Sequence, residues 1–250
     1  MSEVILLLAI AAFIVGMSKG GLASAGTLAV PLVALAMDPL TAAALLLPVY
    51  LVSDAVGVWL YRREYSLPNL KLLIPAGFVG VIIATLLEPV LPVALFTLAT
   101  GLIGLSYLFR DWVLPRLRRS ETPPAPMGRA AGMFWGTVTG ITSFISHSGA
   151  PPFQTYVLPQ RLPKMVFAGT TTICFAAINL AKVPAYWGLG LMNGLNWPLI
   201  GALSIAAIAG TFAGRWLSKI LPDHIYLAAI KVFLLLLSIE LTWKGLSGLL

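Results

Sequence analysis

Along the chain, long apolar stretches alternate with short clusters of glycine, proline, serine and charge. Val4 to Val15 and Thr27 to Ala36 flank the run Gly16-Met17-Ser18-Lys19-Gly20-Gly21-Leu22-Ala23-Ser24-Ala25-Gly26, which carries four glycines and a lysine. Pro39 to Tyr61, Leu67 to Leu87 and Leu91 to Phe109 follow, each close to the roughly 20 residues a helix needs to cross a hydrocarbon core. After a polar segment the plan repeats. Met127 to Gly140 leads into a second break, Ile141 to Pro152, and then come Phe153 to Leu158, Pro163 to Trp187, Leu195 to Leu217 and His224 to Trp243. The pattern predicts one broken hairpin and three crossings in each half. A continuous membrane helix has no use for such breaks, and irregular backbone at membrane depth is tolerated only where protein or a water-filled cavity satisfies its amides. The breaks are therefore the candidate sites, and a helix restarting after one aims a positive dipole end at whatever sits there.

The halves correspond by position. Gly16 maps onto Gly140 and Pro39 onto Pro163, both 124 residues on; Gly80-x-x-x-Ala84 maps onto Gly210-x-x-x-Gly214 and Leu91-Pro92 onto Leu221-Pro222, both 130 residues on. This spacing predicts a first repeat at 1–112, a linker at 113–126 containing Thr122-Pro123-Pro124-Ala125-Pro126, and a second repeat at 127–250, together forming one integrated domain.

Charge chooses the topology. If each break is a re-entrant hairpin, one membrane face receives Arg62, Arg63, Lys71, the basic residues from Arg110 to Arg129, Arg161, Lys164, Arg215 and Lys219, and the other only Lys244. Reading each break as an interrupted crossing splits the same residues far more evenly, which fits the positive-inside rule less well. The expected fold is thus an all-α polytopic membrane protein of two inverted-topology repeats, each a broken re-entrant helical hairpin plus three transmembrane helices. Basic loops lie in the cytoplasm and both termini on the outer, periplasmic face. Inverted repeats with broken helices meeting near the midplane are an architecture of secondary transporters.

Composition agrees and removes alternatives. With 59% hydrophobic and 10% charged residues and a mean hydropathy of +0.94, the chain is far from the roughly 25% charge of soluble domains. The net charge of +7 follows from topology and implies no nucleic-acid partner. Val4 is preceded by Glu3 rather than a basic region, so the first stretch reads as part of the fold and not as a signal peptide. A single cysteine, Cys174, excludes a disulfide framework and a four-cysteine metal site. No metal and no cofactor is implied.

Candidate binding residues gather at the breaks. In the first, Lys19 supplies a full charge, Gly20 and Gly21 allow close backbone approach, and Ser24 adds a hydroxyl; the alternative is a lysine that snorkels from a hairpin tip. In the second, Ser146, His147, Ser148 and Gly149 precede a proline suited to a first helical turn, with an imidazole able to titrate near neutral pH. The alternative there is capping. Asp54, Asn179, Lys182 and Lys231 are the strongly polar groups within crossings, expensive in a membrane and so candidates for coupling or pathway roles. Lys231 is a possible partner for Asp54, and Lys182, five residues from Trp187, could snorkel outward. Thr170, Thr171 and Thr172 would bond their own backbone. The rows Gly132-x-x-x-Gly136-x-x-x-Gly140 and Ala206-x-x-x-Gly210-x-x-x-Gly214 read as packing, and Trp59, Tyr61, Trp112 and Trp187 as interfacial anchors.

These motifs resemble the TauE/SafE sulfite exporter family: Gly16 to Gly21 followed by Leu28-Ala29-Val30-Pro31-Leu32, Ser143 to Pro152, Leu158-Pro159-Gln160-Arg161-Leu162, and Lys164 to Thr171. The resemblance covers essentially the whole chain. It implies a transporter, not an enzyme, that moves small sulfur-containing anions such as sulfite or sulfonates like sulfoacetate across a bacterial inner membrane. Family members generally carry a glycine-rich loop in each half, whereas here the second is serine-rich. The resemblance suggests export, although direction does not follow from the residues themselves, and protons are a candidate coupling ion through His147 or Asp54. The anion is expected to be held by Lys19, Gly20 and Gly21 on one side and by Ser146, His147 and Ser148 on the other. An anion channel shares this chemistry. An intramembrane hydrolase using Ser146 or Ser148 with His147 would lack a nearby acid to orient the imidazole.

Overall fold

The computed structural model describes residues 2–22, 25–33, 39–87, 92–113 and 127–249. All regular structure among them is helical: α1 (Ser2–Lys19), α2 (Ala29–Val33), α3 (Pro39–Tyr61), α4 (Leu67–Leu87), α5 (Val93–Leu108), α6 (Arg129–Ser146), α7 (Ala150–Val157), α8 (Lys164–Gly188), α9 (Trp197–Ile220) and α10 (Asp223–Ser247). Five helices, Ala42–Tyr61 of α3 with α4, α8, α9 and α10, are long and apolar enough to cross a membrane. The sixth expected crossing differs. The described helix over Leu91 to Phe109 is the 16-residue α5, which widens into a π-wound stretch, Phe109–Val113. Residues 114–126 of the expected linker lie outside the described residues.

Contacts divide the chain into two compact units, Met1–Leu70 with Pro163–Tyr226, and Lys71–Leu162 with Leu227–Leu250. In the first unit α1 lies against α9 at backbone distance. A methyl group on Gly16 would meet the Ala207 carbonyl oxygen at 1.9 Å, and one on Gly210 the Phe13 carbonyl oxygen at 2.1 Å. Gly20 and Gly214 repeat the arrangement one turn along, against Thr211 and Met17. Small residues therefore let two helices touch through their main chains, where dispersion contacts are densest. Leu8, Ala12 and Val15 of α1, Val33 of α2, Leu46 and Val49 of α3 and Leu203 and Ala207 of α9 complete the core of this unit.

The second unit uses the same device. Methyl groups on Gly140 and Gly80 would strike the carbonyl oxygens of Gly77 and Thr137, each at 2.1 Å, so α6 and the 71–87 part of α4 are in backbone contact. All eight residues of α7 are buried, as expected for a short helix that faces protein on every side. Tyr107 and Leu108 of α5 pack with Leu234 of α10. Along α10, Leu234, Leu237 and Leu241 are buried while Val232, Leu236, Ile239 and Trp243 are exposed. An exposed apolar face of this extent suits hydrocarbon rather than water.

The breaks are narrower than the sequence pattern indicates. Helix α1 continues through Gly16 to Lys19, and α6 runs past Gly140 to Ser146, so that only His147, Ser148 and Gly149 separate it from α7. Glycine in these helices serves close packing, so its presence did not mark their ends.

Candidate functional site

Helix α1 ends in a Schellman motif. Gly21, at a positive φ of 126°, turns the chain so that its N–H reaches Ser18 O and the Leu22 N–H reaches Met17 O, both at 3.2 Å. The Gly20 N–H bonds Gly16 O at 2.9 Å. These amides close the helix, whereas the sequence suggested that they would face an anion. The next carbonyls, pointing away from α1, are taken by hydroxyls from distant helices. Thr172 donates to Lys19 O at 3.0 Å, Tyr61 and Ser218 to Gly20 O, and Tyr226 to Gly21 O at 2.7 Å. Tyr50 reaches Gly26 O at 2.6 Å beyond the break. Buried carbonyls without such partners would each cost about 1–3 kcal/mol.

These capping residues were not legible as site residues. Tyr61, expected at the membrane interface, is fully buried, while Trp59 and Trp187 are exposed as anchors should be. Thr170 and Thr171 bond Val166 O and Phe167 O on their own helix. Thr172, one position further, faces α1 instead. The available signal was a tyrosine at the end of α3, Tyr61, and another in the first turn of α10, Tyr226, positions where interfacial anchoring and capping look alike in sequence.

Beside this cap lies a buried polar cluster. The Lys19 ammonium stands 2.8 Å from Asp54 Oδ1, a charge contact without an aligned hydrogen bond on that oxygen. It also lies over the rings of Tyr50 and Phe175, at 5.0 and 5.7 Å from their centroids, a favourable placement for a cation. Asn179 Nδ2 donates to Asp54 Oδ2 at 2.7 Å, and Lys182 Nζ donates to Asn179 Oδ1 at 2.9 Å. A carboxylate on one side and an ammonium on the other fix the orientation of the amide. Lys19 is 5% exposed, Asp54 3% and Lys182 0%, so neither lysine snorkels. Helix geometry explains the grouping, because Asn179 and Lys182 are three apart on α8 and share a face.

Two expectations change here. Asp54 takes Lys19 and Asn179 as partners rather than Lys231, which is half-buried in the second unit. Lys19 therefore does not present a free charge; it is paired with Asp54, and Lys182 is linked to the same carboxylate through Asn179. Two lysines, an amide and one carboxylate thus form a connected chain inside the protein, where charge is felt more strongly than in water. Ser24 and the side chain of Ser146 lie outside the described residues.

The second break is a separate feature of the second unit. His147 ends α6 in the left-handed conformation, φ 53°, which costs an L-residue about 1 kcal/mol or more and is usually left to glycine. His147 and Ser148 are buried, at 7% and 1% exposure, and Gly149 is buried as the residue leading into α7. A strained non-glycine residue at a helix break is a feature that functional sites retain.

Comparison with curated proteins and with solved structures returned no match. The family described as Sulfite exporter TauE/SafE matches residues 8–241 of the 250, a span that takes in both breaks and all five helices long enough to cross a membrane save the end of the last. With five such helices and a match over nearly its whole length, the chain is a multi-pass membrane protein and belongs to the TauE/SafE family of sulfite exporters.

Proposed function

We propose that the protein is a secondary transporter of small sulfur-containing anions, sulfite or sulfonates such as sulfoacetate, in a bacterial inner membrane. One observation carries the reading: beside a helix break, in a chain otherwise poor in charge, a buried lysine is paired with Asp54 and a second buried lysine is joined to the same carboxylate through Asn179. An anion entering this cluster would pair with the Lys19 charge and take hydrogen bonds from Lys19, Lys182 and the Asn179 amide. Charge-assisted bonds of this kind offset the desolvation that makes burying an anion costly. Asp54 would then hold Lys19 when no anion is present and release it to the substrate when one arrives. The inverted repeat gains support from the glycine contacts. Gly16 meets α9 close to Gly210, and Gly140 meets α4 close to Gly80, so the two contacts join equivalent positions of the two halves. Basic loops on the cytoplasmic side and both termini outside remain part of this proposal.

His147 and Ser148 belong to the proposal as a second contact region and His147, with Asp54, as a proton-coupling group. A membrane potential negative inside favours anion exit, so export needs no coupling ion on electrical grounds. The test is counterflow of labelled sulfite or sulfoacetate into liposomes carrying the purified protein, for wild type, Lys182→Met and Lys19→Met. Saturable counterflow lost in both variants is expected, and a pH gradient that changes the rate would identify proton coupling. Retained counterflow in Lys182→Met would refute the two-lysine site; conductance without counterflow would identify a channel.

A further inference from the structure

The ends of α3 and α9 in the first unit leave a surface groove of about 400 Å3. Trp59, Phe212 and Trp216 line it, and they are 58%, 49% and 63% exposed. Three cations line it as well: Arg62, Arg215 and Lys219. Arg62 lies over the Trp59 ring at 4.9 Å and donates to Trp59 O at 2.7 Å. Arg215 lies over Tyr61 at 4.1 Å. Its Nη2 pairs with Glu64, while its Nη1 is buried with no hydrogen-bond partner among the described residues. Glu64 thus offsets one of the three positive charges that line the groove.

We propose that this groove binds an anionic phospholipid. A phosphodiester between Arg62, Arg215 and Lys219 would complete the charge balance, an arrangement that guanidinium groups favour. An acyl chain would cover Trp59, Phe212 and Trp216. A water-soluble anion has a use for the cations but none for three exposed aromatic rings beside them, whereas a lipid needs both. Basic residues at the ends of membrane helices, flanked by tryptophan, are where headgroups lie. The site is distinct from the lysine cluster and does not depend on which anion the protein carries.

The test is native mass spectrometry of the full chain released from detergent, titrated with phosphatidylglycerol or phosphatidylcholine. The comparison variant is Arg62→Gln with Lys219→Gln, both exposed and neither in the Arg215–Glu64 pair. Wild type should retain phosphatidylglycerol over phosphatidylcholine, and the double variant should lose that preference by roughly tenfold or more. Melting without added lipid should be unchanged, which separates lost binding from lost folding. Where the double variant melts lower, Arg62→Gln alone serves instead, with a smaller loss of the same preference, about fivefold, expected. Equal retention of the two lipids, undiminished phosphatidylglycerol retention in the variants, stabilisation by inorganic phosphate equal to that by lipid, or lipid-free dimers broken by Trp216→Leu would each overturn the proposal.

Discussion

Replacing Asp54 by asparagine removes the carboxylate that holds Lys19 and leaves this buried lysine without the counter-charge that pairs with it. The change is nearly isosteric and keeps a hydrogen-bonding partner for Asn179, so its effect is electrostatic. Lys19 stands 2.8 Å from the carboxylate, and the two side chains are 7% and 4% exposed. Removing one member of a buried pair costs about 3–5 kcal/mol, mostly the penalty on the charge left behind. At about 2–4 °C per kcal/mol for chains of this size, melting in detergent should fall by roughly 6–20 °C. Lys19→Met alone leaves Asp54 with Asn179 and, through it, Lys182, and should cost less. The double variant Lys19→Met with Asp54→Asn removes the orphaned lysine and should recover at least half of the loss. Sulfite should stabilise Asp54→Asn at least as much as wild type, because an anion can take the place of the carboxylate; at a hundredfold excess over Kd the gain is about 2.7 kcal/mol. If Asp54→Asn melts within about 2 °C of wild type, or the double variant falls as low as the single one, the pair is not what holds this site together. Should Asp54→Asn fail to fold, recovery in the double variant still reads the coupling.

Two further outcomes follow from the backbone. Gly210→Val places a branched side chain where even a methyl group would lie 2.1 Å from Phe13 O; α1 and α9 must separate, and melting should drop by more than the roughly 1–3 kcal/mol of ordinary overpacking. Gly188→Val, at a position with nothing near the added atom, should stay within about 1 kcal/mol of wild type, and equal losses at both positions would remove the close-packing argument. His147→Gly should melt above His147→Ala by about 1 kcal/mol, because glycine relieves the left-handed strain that alanine keeps. If His147 contacts substrate, both variants should lose counterflow, and wild-type rates in the glycine variant would assign the histidine to the turn alone.

Much of this protein can be read without coordinates. Its apolar stretches determine which segments leave water, because the transfer free energy of a helix into hydrocarbon depends mainly on its own side chains. The positions of the two breaks, the glycine rows that bring helices together and the self-bonded Thr170 and Thr171 are local properties for the same reason. Partner choice is not local. Asp54 meets Lys19 and Asn179, not Lys231, because of how α1, α3 and α8 are rotated about their axes. Hydrophobic pattern does not report that rotation, since lipid and protein core are both apolar. Leu236 is 53% exposed and its neighbour Leu237 is fully buried, though no difference in residue type distinguishes them. Tyr226 caps Gly21 across 205 residues of sequence for a like reason. A membrane protein with two helix breaks and a few costly polar groups inside it is written in local residue pattern; that Lys19 pairs with Asp54, and that Lys182 reaches the same carboxylate through Asn179, depends on helix rotation, which an apolar solvent leaves unmarked in the chain.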